Sequence, residues 1–168
     1  MIPPFNFMKW IQENKEKLQP PVNNYCLWRE KDFTIMAVGG PNKRTDYHVN
    51  PTEEYFYQLK GSMTLKIVEN NIFRDVTINE GEMFLLPSKI PHNPIRYENT
   101  VGLVIEVKRP EGQLDALRWY CSKCSHIVYE ETFYCVYLGV QLKPIILKVA
   151  NDEALRTCNN CHFINPTK

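Results

Sequence analysis

The sequence predicts a mainly β protein built as one small barrel, with a helix in front of it and a short cysteine-bearing region behind it. Three observations carry that reading. Runs of strand length, mixing apolar with polar residues, recur between Cys26 and Val107 and are bounded by Gly, Pro or Asn. Ahead of them lies a stretch with helical spacing. Behind them stand two C-x-x-C pairs in a shorter segment. The expected organisation is therefore a barrel with its N-terminal helix over 1–110 and a C-terminal region over 111–168.

Taken in order, Asn6 can cap a helix across about Phe7–Gln19, with Phe7, Trp10, Ile11, Lys15 and Leu18 on one semi-apolar face. Pro20-Pro21 stops it. Asn23-Asn24-Tyr25 reads as a polar turn before a strand at Cys26–Trp28. A second strand over Phe33–Gly39 ends at Gly39-Gly40-Pro41, a break where backbone can approach a site closely. Glu54–Leu59 and Ser62–Val68 flank Lys60-Gly61 and read as a hairpin. Glu69-Asn-Asn-Ile72 is a turn, Phe73–Ile78 a strand, and Asn79-Glu80-Gly81 the next turn. The apolar run Met83–Leu86 reads as a buried strand. Val101–Val107 is the last strong barrel strand. Glu106 stands out in it, since a carboxylate there is either on the solvent face or held by a cation inside. Arg109-Pro110-Glu111-Gly112 marks the boundary. Beyond it come strands near Ile127–Tyr129 and Phe133–Tyr137 and a helical stretch around Asp152–Thr157. That region offers little apolar core, so a bound metal would supply much of its folding free energy.

Composition narrows the function classes. In 168 residues, 43% hydrophobic and 23% charged describe an ordinary globular chain. A formal net charge of +1 gives no field to draw nucleic acid or an anionic membrane. The N-terminus lacks a basic segment followed by an apolar one, and no apolar run reaches transmembrane length. A cytoplasmic location is the expectation. Cys121-Ser-Lys-Cys124 and Cys158-Asn-Asn-Cys161 supply four thiolates for a closed tetrahedral site, holding zinc or rubredoxin-like iron. A redox C-x-x-C or two disulfides are the alternatives, and the absence of an export signal favours metal. Cys26 and Cys135 fall outside the pattern. His126 and His162 lie beside the knuckles and are weaker ligand candidates.

The chemistry-bearing stretch is Gly40–Arg96. It contains His48 and Glu54 at H-x-x-x-x-x-E, then Gly61, and later Gly81, Pro87 and His92 at G-x-x-x-x-x-P-x-x-x-x-H. His48 and Glu54 are an even number of residues apart, so a bend at Pro51-Thr52 can return both side chains to one face. Two imidazoles and one carboxylate make the facial triad of a non-heme Fe(II) site with open positions. These motifs resemble the two signatures of the cupin superfamily, which implies a double-stranded β-helix (jelly-roll) barrel with a metal in its mouth. Where many cupins have a second histidine, this chain has Asn50, leaving three ligands.

Arg44 precedes His48 by four residues and Arg96 follows His92 by four, which suggests a cationic wall suited to a carboxylate. The runs Pro-Pro-Val-Asn-Asn, Val-Gly-Gly-Pro-Asn-Lys-Arg44-Thr-Asp-Tyr-His48, Pro-His92-Asn-Pro-Ile-Arg96, Arg109-Pro-Glu-Gly and Trp-Tyr-Cys121-Ser-Lys-Cys124 resemble the 3-hydroxyanthranilate 3,4-dioxygenase family. They match its bacterial and fungal form, which keeps a second, rubredoxin-like metal. The resemblance implies an Fe(II) extradiol-type enzyme that takes 3-hydroxyanthranilate and O2 to 2-amino-3-carboxymuconate semialdehyde, on the kynurenine route to quinolinate and NAD. It further implies iron on His48, Glu54 and His92, a catalytic role for Arg44 and Glu106, and substrate contacts from Asn24, Arg44, Arg96 and Glu106. It also implies a homodimer. Beside a substrate carboxylate, Glu106 would have to be protonated or shielded by Arg96. Two other readings stand alongside: another small-acid cupin metalloenzyme (a thiol dioxygenase or isomerase), and a non-catalytic zinc-ribbon binding protein. The mixed charges of Lys123, Glu130 and Glu131 disfavour the second.

Overall fold

A computed structural model describes residues 3–20, 23–29 and 32–167; Pro21, expected to help stop the first helix, lies outside them. Helix α1 spans Phe7–Glu13, and its cap is Asn6, whose side chain accepts from the Lys9 amide at 3.0 Å. It is shorter than the sequence suggests. The Asn14 side chain donates to the Trp10 carbonyl and takes Lys17 as a partner, and the chain tightens into a 3₁₀ turn over Lys15–Leu18. Leu18 is the residue that this segment buries.

Eleven strands follow among the described residues: β1 Asn24–Arg29, β2 Phe33–Gly39, β3 Tyr47–Val49, β4 Glu54–Lys60, β5 Met63–Glu69, β6 Ile72–Ile78, β7 Met83–Leu86, β8 His92–Arg96, β9 Val101–Val107, β10 Asp115–Tyr120 and β11 Ile127–Phe133. They form two antiparallel sheets, in the orders β1-β2-β9-β4-β7 and β11-β10-β3-β8-β5-β6. Alternate residues of each strand point between the sheets. There Met36, Val38, Phe56, Met63, Leu65, Ile67, Ile78, Leu86 and Val104 make one core. This is the expected mainly β barrel with its N-terminal helix.

Three expectations are corrected. Residues 54–59 and 62–68 are not a hairpin: β4 pairs with β7 and β9, whereas β5 pairs with β6 and β8, so the chain crosses between sheets at Lys60-Gly61. Gly61 makes that crossing at φ +66°, where an added Cβ would also meet Thr100 at 2.8 Å. The hairpin is instead β5–β6, closed by Asn70 and Asn71, both at positive φ, as a two-residue turn requires. Second, Met83–Leu86 is not a buried strand. It is the sheet edge, with Met83 64% and Leu85 55% exposed and Leu86 turned inward. Third, in place of strands near Ile127–Tyr129 and Phe133–Tyr137 there is one strand over Ile127–Phe133, because β10 begins at Asp115 opposite Phe133 and offers no partner for residues beyond it.

The C-terminal region also holds a helix the sequence reading lacked. Helix α2 spans Leu138–Asn151 with Pro144 inside it, and the short α3 spans Glu153–Arg156. Proline there removes a helix bond at a cost of about 3 kcal/mol, and packing offsets it. Leu142, Ile145 and Val149 form a second buried cluster with Leu117 and Trp119 of β10. The region therefore has a core of its own. Stripping metal from the cysteine cluster is expected to expose the two knuckle turns to hydrogen exchange while leaving α2 protected. Leu117→Ala, by contrast, should cost about 2–5 kcal/mol of unfolding free energy in a denaturant titration.

Candidate active site

The register places the site. In the six-stranded sheet β3 and β8 meet at the pair His48–His92. In the five-stranded sheet β4 meets β9 at Glu54–Glu106. His48 and Glu54 thus reach one cavity from opposite sheets, not from one face of a single sheet. The bend at Pro51-Thr52 carries the chain across. Asn50 fixes it by accepting from the amide and hydroxyl of Thr52 at 3.0 and 2.9 Å.

One ligating atom from each of His48, Glu54 and His92 lies within 4.8 Å of the others, and all three residues are buried. Glu54 Oε1 is 3.5 Å from His48 Nδ1 and 3.3 Å from His92 Nε2. The remaining ring nitrogens are already engaged. His92 Nδ1 donates to the Ile90 carbonyl at 3.0 Å, and His48 Nε2 donates to Asp115 Oδ2 at 2.6 Å. That places a proton on each outer nitrogen and turns the other nitrogen of each ring toward Glu54, which is how a metal-ligating histidine is held. Asn50, which stands in place of a fourth ligand, donates to Glu54 Oε1 at 2.9 Å. Burial alone would raise the Glu54 carboxyl; the His92 imidazole outweighs it and, with His48 and Asn50, holds the group down at about 2. Two imidazoles and a carboxylate kept ionised, each oriented from behind, are a donor set that fits a divalent transition metal.

These residues lie in the wall of a cavity of about 540 Å³, which also touches Asn24, Arg44, Arg96 and Glu106. All the residues singled out for the catalytic site are therefore brought together. Apolar faces from Met36, Val38, Phe56 and Val104 complete the wall. The two arginines differ. Arg44 is forked onto the buried Asp46, which outweighs the effect of burial and raises its pKa. Arg96 is 5% exposed, and its guanidinium makes a long contact to Gln58 Oε1 at 3.4 Å. Among the described residues no carboxylate lies in ion-pair range of it. Burial lowers its pKa to about 10. A buried cation without a counter-ion is costly, and an anionic ligand would supply the missing partner.

Glu106 is held inside by a cation, but the cation is Arg109, not Arg96: Arg109 Nη1 donates to Glu106 Oε2 at 2.6 Å. Burial, with repulsion from Glu54, still raises the Glu106 pKa. Arg109, Asp115 and Asp46 were absent from the sequence-based site. Arg109 and Asp46 stand in runs that carry the family resemblance, Arg109 also as a boundary marker, but neither was given a role in the site, and Asp115 lies beyond that boundary. Their one signal in the sequence is an Arg and an Asp six apart after the last barrel strand. Only the pairing of β10 with β3 shows what they touch.

The second cluster is separate. Cys121 and Cys124 sit in the turn between β10 and β11, and Cys158 and Cys161 between the bridged residues Thr157 and Ile164. The two turns repeat one geometry. Ser125 N donates to Cys121 O and His162 N to Cys158 O, both at 2.8 Å, and Ser125 and His162 both have positive φ. The four Sγ atoms lie within 4.8 Å of one another, with Cys121–Cys161 at 3.5 Å and Cys124–Cys158 at 3.6 Å. These spacings exceed a disulfide bond and suit the edges of a tetrahedron with ~2.3 Å metal–sulfur bonds. Among the described residues, neither His126 nor His162 joins the cluster.

A model of the 3-hydroxyanthranilic acid dioxygenase family matches residues 1–150. Among curated relatives, "3-hydroxyanthranilate 3,4-dioxygenase 2" of Aspergillus oryzae is 58% identical over 100% of both chains. The 3-hydroxyanthranilate 3,4-dioxygenase of Candida albicans is 54% identical over 98% of this chain and 96% of its own. A solved cupin-2 domain protein from Shewanella frigidimarina shares the fold at a TM-score of 0.51 and 17% identity, over 62% of this chain and 94% of that one.

Proposed function

Because the chain belongs to the 3-hydroxyanthranilic acid dioxygenase family, we propose that it cleaves the ring of 3-hydroxyanthranilate with O2, using Fe(II) held by His48, Glu54 and His92. The observation that carries this reading is the buried, carboxylate-free Arg96 beside the oriented His–Glu–His triad in one cavity. Bound there, Fe(II) would supply Lewis-acid and electron-transfer chemistry between the ring and O2.

The chain's own residues supply position. Arg96 pairs the ring carboxylate by two parallel N–H···O bonds and so sets the ring's angle to the triad. Glu106, its pKa raised by burial and by repulsion from Glu54, borders the space of that carboxylate while Arg109 holds its Oε2. Arg44, fixed by Asp46, borders the substrate and oxygen space, and Asn24 lines the same cavity from β1. The apolar wall excludes water. Both atoms of O2 enter the product as the bond between the hydroxyl-bearing carbon and its unsubstituted neighbour opens. 2-Amino-3-carboxymuconate semialdehyde results, and it closes without enzyme to quinolinate on the kynurenine route toward NAD. The cysteine cluster is assigned a structural iron or zinc in the region over 111–168, whose strands β10 and β11 extend the six-stranded sheet of the barrel over 1–110. The assembly is assigned as a cytoplasmic homodimer. No helix of the described chain is long and apolar enough to cross a membrane.

The test is spectroscopic. Fe(II)-loaded protein given 3-hydroxyanthranilate should produce the semialdehyde absorbance, which then decays as quinolinate forms. A thiol or sugar acid turned over in its place, with 3-hydroxyanthranilate untouched, would overturn the assignment.

A further inference from the structure

We infer that Arg109 is a positioning residue that anchors the pocket acid Glu106 and the ligand histidine His48 to each other. The inference rests on the reading of His48 as a metal ligand and Glu106 as a substrate-side group. Arg109 lies two residues past the end of β9, and its side chain folds back inside with 11% exposure. One edge of the guanidinium donates to Glu106 Oε2 at 2.6 Å. The other forks onto Asp115, with Nε to Oδ1 at 2.9 Å and Nη2 to Oδ2 at 2.7 Å. Asp115 is fully buried, and its Oδ2 also receives His48 Nε2 at 2.6 Å.

The topology explains the need for such a clasp. Glu106 belongs to the five-stranded sheet, while His48 and Asp115 belong to the six-stranded one. Among the described residues no backbone ladder joins the two sheets at this end, so beyond the covalent bend at Pro51-Thr52 their spacing there depends on side chains. Arg109 spans the gap with three donors in fixed planar geometry. Asp115 cannot rotate without giving up the fork, and His48 cannot turn without giving up Asp115. The position of the acid that faces the substrate is thus tied to that of the imidazole that faces the metal. A lysine keeps the charge but has no planar fork, so it can serve one carboxylate well and not both.

The test uses Arg109→Lys, Asp115→Asn and the double variant in the full chain, with the four-cysteine site first filled with Zn(II). Fe(II) affinity at the second site is read by chelator competition, KM and kcat by ring cleavage, and folding by circular dichroism. Loss of a hydrogen-bonded partner behind a ligand histidine typically weakens metal binding about 10- to 100-fold. Arg109→Lys should weaken Fe(II) binding about tenfold and raise KM several-fold. Asp115→Asn should weaken Fe(II) binding alike with little change in KM. The double variant should bind Fe(II) no worse than the weaker single one, since both act through one chain of contacts. A folded Arg109→Lys with wild-type Fe(II) affinity, or losses that add in the double variant, would overturn the inference. Wild-type protein that binds Fe(II) but opens no ring would sink the functional reading, while the Fe(II) affinities would still decide the clasp.

Discussion

His92→Ala is expected to lower kcat/KM for ring cleavage by on the order of 10³-fold or more, which corresponds to about 4 kcal/mol of transition-state stabilisation. His92 is 2% exposed, its Nδ1 is fixed by the Ile90 carbonyl, and its Nε2 is aimed at Glu54. It has no surface role to lose. Removing the imidazole takes away one of three ligating atoms and leaves Glu54 with a weaker hold from His48 and Asn50. The variant should retain the four-cysteine metal and the barrel's circular dichroism while its second metal falls to a small fraction of one per chain. Metal analysis beside a kinetic assay checks both. A variant that stays active with two metals bound would remove His92 from the ligand set.

Arg96→Met should raise KM on the order of 10²-fold, the equivalent of about 2.7 kcal/mol of binding lost with the carboxylate's paired hydrogen bonds. It should also raise the melting temperature. In the free protein Arg96 is a buried cation whose contact is a long hydrogen bond to Gln58, so an apolar side chain of similar length relieves a desolvation cost. Opposite signs for affinity and stability are the mark of a residue kept for its ligand. Thermal melts and steady-state kinetics on the same preparation measure the two together. A variant that melts lower and keeps its KM would show Arg96 to be structural.

Much of this architecture is legible in the sequence, for identifiable reasons. Strands β2, β6 and β9 were readable because apolar runs end at Gly or Asn residues whose backbone conformation the turns need, as at Asn70-Asn71 and Gly81. The triad and the two knuckles were readable because ligand spacing is written along the chain. What was not readable depends on which strands become neighbours. Periodicity cannot tell that β4 turns away from β5, or that Met83 and Leu85 lie on an edge. Helix α2 was hidden because Pro144 reads as a breaker, while Leu142, Ile145 and Val149 pack well enough to override it. Arg109 opens a run that the family resemblance uses, but neither it nor Asp115 carries a local pattern that reveals its partners. Their role exists only once β10 is laid beside β3 and β9 faces it across the cavity.

The most direct test is a single-turnover experiment with ¹⁸O2 on anaerobically Fe(II)-loaded protein mixed with 3-hydroxyanthranilate, with His92→Ala as control. The account predicts one O2 consumed per ring opened, both labelled atoms in the semialdehyde, and neither uptake nor product in the variant. Folded, iron-loaded protein that consumes no oxygen, or a quinolinate with no labelled atom in its new carboxylate, would contradict it.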